Sequence, residues 1–147
     1  MYRRILVAVE NSAADKTILA HVTELARLTG ASLLLVHVAD GWAARNQQGL
    51  ALRESAEMRD DRDYIEARRD ELEAAGIQAE CILAGGDPGA EIAAAALREG
   101  CDLVAMSTHG HRGLQDLIRG SVANDVRHHT TIPVLLVRGT PRRLRPS

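Results

Sequence analysis

Residues 102–137 read DLVAMSTHGHRGLQDLIRGSVANDVRHHTTIPVLLV, and the order of signals in this stretch decides the fold. The apolar run Leu103-Val104-Ala105-Met106 predicts a buried parallel strand. Ser107, Gly110 and Gly113 then open the backbone, and Gly120-Ser121 starts an amphipathic helix in which Val122, Val126 and His129 share a face. Ile132 to Val137 form a second strand. Strand, glycine loop, helix and strand make a parallel crossover whose loop falls at the carboxyl edge of the sheet, where open α/β folds keep their ligands. Backbone N–H groups in that loop and at the helix start are suited to a phosphate chain, because they converge and favour an anion.

Upstream, the same alternation of strand and helix repeats. Residues 4–9 (RILVAV) are β-branched and aliphatic after the first, as a strand covered on both faces requires. Asn11 and Ser12 are N-cap candidates for a helix whose Ile18, Val22, Leu25 and Ala26 recur at helical spacing up to Gly30. Ser32 to Val38 form the second buried strand. Residues 41–53 show no stable period and are expected to form a long loop or insertion, with Trp42 either capping the core or lying over a bound base. From Glu54 to Ala75 charges dominate, while Met58, Ile65 and Leu72 fall seven apart, giving a solvated helix with one narrow apolar stripe. Ile77 to Leu83 alternate with period two, which marks a half-exposed edge strand. Gly85-Gly86-Asp87-Pro88 supply a turn, an N-cap and a first helical residue for a helix through Ile92, Ala93, Ala96 and Leu97 to Gly100.

Five strands and four helices in strict alternation predict an open parallel sheet with helices on both faces, in the order 3-2-1-4-5, its switch point between strands one and four. Glu10 and Ser107 would face each other across that crevice. The 147 residues suit one domain over 1–140, followed by a basic, disordered tail at 141–147 carrying Arg142, Arg143 and Arg145. With no Phe and a single Trp, the core must be aliphatic.

A net charge of −2 supplies no field to attract nucleic acid or a membrane surface. Neither is expected as a partner, and no window is apolar enough to span a bilayer. Cys81 and Cys101 sit in or beside strands as packing residues, with no activating base or cation expected near Cys81, and the chain is expected to be cytoplasmic and reduced. The four histidines of the 109–129 stretch do not converge at ligand spacing, so no metal site built from protein ligands is expected. There is no Gly-Lys-Ser/Thr phosphate loop, no Gly-x-Ser-x-Gly elbow and no acidic pair in a cleft, and no catalytic residue is assigned.

Three segments together resemble the universal stress protein family across nearly the whole chain: RRILVAVENS at the first strand, GGDPGAEI at the third crossover, and MSTHGHRGLQDLIRGSVANDVRHHTTIPVLLV. ATP-binding members carry Gly-x2-Gly-x9-Gly-Ser/Thr, matched here at Ser107, Gly110, Gly120 and Ser121. The chain departs from the pattern in having Ser107 for its first glycine and Glu10 for the aspartate usual after strand one. The resemblance implies a Rossmann-like fold of the adenine nucleotide alpha hydrolase kind. It also implies binding of ATP, or AMP or ADP, with Mg or Mn held by the phosphates. Gly110, Gly120, Ser121 and the Val122 backbone would hold the phosphates, Met106 and Ser107 would flank ribose and adenine, and Ala8, Val9, Glu10 and Val38 would line the pocket. His109 and Arg112 are further candidates for phosphate contact, whereas His111 and Arg119 are expected on the solvated surface.

The implied role is a stress-response sensor or regulator with at most slow ATP hydrolysis, acting on an unknown protein partner. The implied assembly is a homodimer paired through Pro133, Val134, Leu135, Leu136 and Val137 of the last strand. The alternative is a dimeric interaction protein of the same fold that binds no nucleotide. A third reading, an ATP-consuming enzyme of related architecture, would need a glycine-rich signature loop after strand one, which Val9-Glu10-Asn11-Ser12 does not supply.

Overall fold

The computed structural model of the protein describes residues 1–39, 51–108 and 122–139. Trp42 and residues 41–50 of the insertion expected over 41–53, the glycine loop from His109 to Ser121, and the basic tail lie outside the described residues, whereas 51–53 are helical.

A five-stranded parallel sheet in the order β3-β2-β1-β4-β5 forms the centre, as the alternating pattern predicts. The strands are β1 (Arg4–Ala8), β2 (Ser32–Ala39), β3 (Ala79–Gly85), β4 (Leu103–Thr108) and β5 (Val134–Arg138). The described helices are α1 (Ala14–Thr29), α2 (Ala51–Ala74), α3 (Pro88–Arg98) and α4, over residues 122–129. Helix α2 thus begins three residues before the Glu54 expected from the charge pattern. β5 starts at Val134, two residues later than expected, because Pro133 has no N–H to give the ladder and contributes only its carbonyl, to Val104 N at 3.0 Å.

Strand alternation sorts the core into two layers. Ile5, Val7, Leu33, Leu35, Leu103 and Ala105 face α1 and α2, where they meet Ile18, Val22, Ala26, Ile65 and Leu72. Leu6, Leu34, Val36, Val104 and Met106 face α3 and α4, meeting Ile92, Ala96, Ala123 and Val126. Each fully buried aliphatic side chain contributes about 1.5–3 kcal/mol, which in a core without phenylalanine comes from many small increments.

The helix ends fix where the loops point. Gly30 closes α1 in the left-handed region (φ 77°), with its N–H bonded to Ala26 O at 2.7 Å, as a C-terminal glycine should. Asp87 caps α3 by accepting from Ala90 N at 3.1 Å, with Pro88 in the first turn. At the start of α1 the expectation fails: the N-cap is Ala13 and makes no side-chain bond, while Ser12 Oγ only reaches Ala14 N at 3.3 Å. The first helical N–H groups bond instead to the backbone carbonyls of Ser12 and Ala13, while the Asp15 side chain turns back to the amides that precede the helix. In α3, Leu97 is 76% exposed and does not join the buried face of Ile92, Ala93 and Ala96, because the sheet covers only the arc centred between Ile92 and Ala96.

Candidate functional site

β1 pairs with β4 only from Ile5 to Val7, opposite Leu103 to Ala105, whereas β4 continues beside β5 as far as Thr108. Beyond Ala8 the two central strand ends therefore part, and a crevice opens at the switch point. A cavity of about 260 Å³ lies there, lined by Ala8, Val9 and Glu10 from the end of β1, Val36, His37 and Val38 from β2, and Met106 and Ser107 from β4. Pro88 and Ile92 of α3 and Val122 of α4 close it. Each expected contact residue among the described ones, namely Ala8, Val9, Glu10, Val38, Met106, Ser107 and Val122, falls on this one cavity. His109, Gly110, Arg112, Gly120 and Ser121 lie outside the described residues.

The lining is mostly apolar, with aliphatic side chains from both strands and helices, a floor that suits a flat ring more than a charged group. Ser107 does not plug it. By strand alternation its side chain stands on the α1 face, opposite Met106, and its Oγ is 3.7 Å from where a Cβ on Gly139 would lie. That hydroxyl is buried and finds no hydrogen-bond partner among the described residues. Pro88, Ile92, Val36 and His37 were not anticipated. The first two carried a signal, since a proline opening a helix at the carboxyl edge of a sheet places the residue four positions later on the same face.

The wall of the site is held from behind by the Asp15 carboxylate, which is almost completely buried. It accepts from the N–H groups of Glu10 at 3.0 Å, Asn11 at 2.8 Å and Ser12 at 3.3 Å, and from the Tyr64 hydroxyl of α2 at 2.5 Å. Asn11 sits in the left-handed region (φ 63°), which turns three successive amides inward. Burial raises the Tyr64 phenol far above its ordinary range, and the bond to Asp15 adds to the effect. A second contact from α2 lies nearby: Asp61 accepts from Asn11 Nδ2 at 3.2 Å and lies 3.4 Å from His37 Nε2, while His37 Nδ1 donates to Val9 O at 3.0 Å.

A larger cavity, about 610 Å³, opens between the start of α1 and α2 and is lined by Asn11, Ser12, Lys16, Tyr64, Arg68 and Glu71 among others. Size favours it, and chemistry favours the smaller one. The amides beside the larger cavity are occupied by Asp15, and Arg68 is engaged by Glu71 at 2.6 and 3.1 Å. The amides of Glu10, Asn11 and Ser12 after β1 are therefore already engaged within the chain.

Among the described residues no group of three or more His, Cys, Asp and Glu side chains could hold a metal ion, and no helix is long and apolar enough to cross a membrane. Cys81 does have a cation beside it, contrary to expectation, since Arg69 Nη1 lies 3.6 Å from its sulfur. Burial still raises the thiol above its ordinary value, so the thiolate is not favoured.

A model of the universal stress protein family matches residues 1–138. The chain is 31% identical over 139 aligned positions to a universal stress protein of Thermus aquaticus, covering 94% of this chain and 100% of that one. It is 28% identical over 155 aligned positions to a universal stress protein of Methanocaldococcus jannaschii, covering 94% and 96% of the two chains. The solved structure of the latter superimposes with a TM-score of 0.80 at 27% identity, over 96% of this chain and 99% of its own. A universal stress protein of Archaeoglobus fulgidus, solved in complex with dAMP, shares the fold at a TM-score of 0.66 and 21% identity, over 92% of this chain and 98% of its own.

Proposed function

The chain belongs to the universal stress protein family, and from that premise we propose that it binds ATP at the β1–β4 crevice and acts as a nucleotide-responsive regulator. The observation that carries the reading is the convergence of Ala8, Val9, Glu10, Val38, Met106, Ser107 and Val122 on one cavity, although they come from four separate parts of the sequence. The dAMP complex of a relative supports an adenine nucleotide as the ligand class on this fold.

The residues divide the ligand by chemistry. Ala8, Val38, Met106 and Ile92 offer apolar surface to the base, and the peptide groups at Val9 and Ser107 border the sugar. Glu10 supplies the carboxylate for ribose hydroxyls. Phosphates fall to the backbone of Gly110, Gly120, Ser121 and Val122, where the start of α4 favours negative charge, with His109 and Arg112 offsetting the rest. A divalent ion would be carried by the phosphates, because Mg²⁺ characteristically takes few protein ligands. AMP and ADP fill the same base and sugar positions and differ only at the loop.

The protein partner and the dimer belong to the same proposal. β5 is an edge strand, and Leu136 on it is 46% exposed, so antiparallel pairing of the segment from Pro133 to Val137 with a second copy would cover both the open ladder and that side chain. ATP binding would set the state of the protein that a partner reads.

Thermal unfolding with ATP, AMP and no ligand tests the assignment. A ligand at a hundred times its dissociation constant adds about 2.7 kcal/mol to the native state, a rise of about 5–10 °C for a domain of this size. An unchanged midpoint in millimolar ATP and AMP would instead favour the nucleotide-free interaction protein.

A further inference from the structure

Helix α2 packs on the face of the sheet opposite the α3 and α4 side of the cavity, yet two of its side chains reach round the carboxyl edge to the cavity's wall. Its apolar anchorage is narrow, with Ile65 and Leu72 buried on an otherwise charged helix. Asp61 and Tyr64, three apart and so on one face, make the polar contacts. Tyr64 bonds Asp15, which in turn gathers the amides of Glu10, Asn11 and Ser12. Asp61 bonds the Asn11 side chain and faces His37, whose other ring nitrogen bonds the Val9 carbonyl. Arg68 stacks over the Tyr64 ring, 4.8 Å from its centroid, and keeps that ring in place.

We propose that Asp61 and Tyr64 of α2 are positioning residues for the nucleotide site, so that docking of α2 and occupancy of the cavity are thermodynamically coupled. The proposal rests on the reading of the cavity as the adenine-nucleotide site. Val9, Glu10 and His37 line that cavity, and none of them is fixed by sheet pairing to β4, which ends at Val7. The backbones of Val9 and His37 are held by the sheet, through Val9 N to Val36 O at 2.9 Å and the pairing of His37 with Leu83, so the two tethers set the His37 side chain and the turn from Glu10 to Ser12. A buried carboxylate is tolerable only while its donors are in place, so losing the Tyr64 hydroxyl loosens the whole β1–α1 turn and not one bond alone. By linkage, whatever factor the tethers contribute to ligand affinity, the ligand returns to the tethers. The helix, directly following the 40–50 segment, is thereby an element whose stability reports on the site.

The test uses the full chain as wild type, Tyr64→Phe and Asp61→Ala. Tyr64→Phe retains the ring under Arg68 and removes only the hydroxyl. Amide hydrogen exchange without ligand reads the tether itself: faster exchange at residues 10–12 in Tyr64→Phe is expected, and unchanged exchange overturns the proposal. Calorimetric titration with ATP reads the coupling, with about a tenfold weaker dissociation constant expected in each variant. In wild type, ATP should also slow exchange across residues 56–74, and this protection should be lost in both variants. Variants that bind ATP as wild type does overturn the coupling. Wild type that ignores ATP while Tyr64→Phe still speeds exchange at residues 10–12 overturns the nucleotide assignment and leaves the tether established.

Discussion

Replacing Gly89 by alanine should loosen the contact between α3 and α4 that closes the cavity. A Cβ on Gly89 would collide with Asp125 Oδ2 and lie 2.8 Å from its Cγ and 2.6 Å from its Cβ. The carboxylate end is half exposed and can rotate away. The Asp125 Cβ cannot, being fixed to the α4 backbone, so a contact near 2.6 Å must be relieved by moving one helix by about 1 Å. Overpacking of this kind costs about 1–3 kcal/mol, or about 3–10 °C in melting midpoint. Val122 of α4 and Pro88 of α3 both line the cavity, so a weaker ATP affinity should accompany the loss. Scanning calorimetry with and without ATP measures both effects. The second-site test is specific when each change is compared with its own effect in wild type: Asp125→Gly should recover stability in the Gly89→Ala background, offset by only about 0.3 kcal/mol of helix propensity, while Asp125→Ala should give no more than it gives wild type, because it retains the offending Cβ. A Gly89→Ala midpoint within about 1 °C of wild type, or equal rescue by both second-site changes, would refute the reasoning.

Three other outcomes follow from named contacts. Burial works to raise the Asp102 carboxyl, but the backbone N–H groups of Arg4 and Arg3, at 3.0 to 3.1 Å, outweigh it and hold the group below its ordinary 3.8. Its stabilisation is therefore present above that value and lost as pH falls through the lowered folded one, so the midpoint difference between wild type and Asp102→Asn should close in acid; parallel pH profiles would contradict this. The Tyr64 phenol, raised chiefly by burial, stabilises the fold at all pH below its unfolded value and should resist ionisation in a 295 nm titration until the fold opens, a late step that Tyr64→Phe deletes. Leu136→Lys should shift sedimentation toward the monomer without lowering the midpoint of the isolated chain, and a variant that remains dimeric would exclude pairing through β5.

How much was legible follows from how far apart the determining residues stand. The runs at Ile5–Val7, Leu33–Val36 and Leu103–Met106 announce strands buried on both faces, and the period of two at Ala79 and Cys81 announces an edge, because each signal is contained within a few neighbours. The cavity was legible for the same reason: strand ends at a switch point are given by topology. What escaped depends on partners many positions away. Asn11 and Ser12 look like caps by local rules, yet their amides turn to the buried Asp15 carboxylate, whose fourth donor is Tyr64, 49 positions along the chain. His37 reads as an ordinary strand residue until Asp61 is brought beside it. Leu97 satisfies a helical pattern and still faces solvent, since the pattern gives a face and only the sheet decides how wide a face is covered.

The turning of the Ser107 side chain to the α1 face has a consequence for how this position can vary among related chains. The hydroxyl of Ser107 stands beside Gly139 and only the residue's peptide group borders the crevice, so the identity of the side chain is judged on the α1 side of the sheet. Small side chains at 107 are thus interchangeable as seen from the crevice, and large ones are rejected at the opposite surface of the sheet. A position can belong to a binding motif while the pressure on its side chain comes from elsewhere in the molecule.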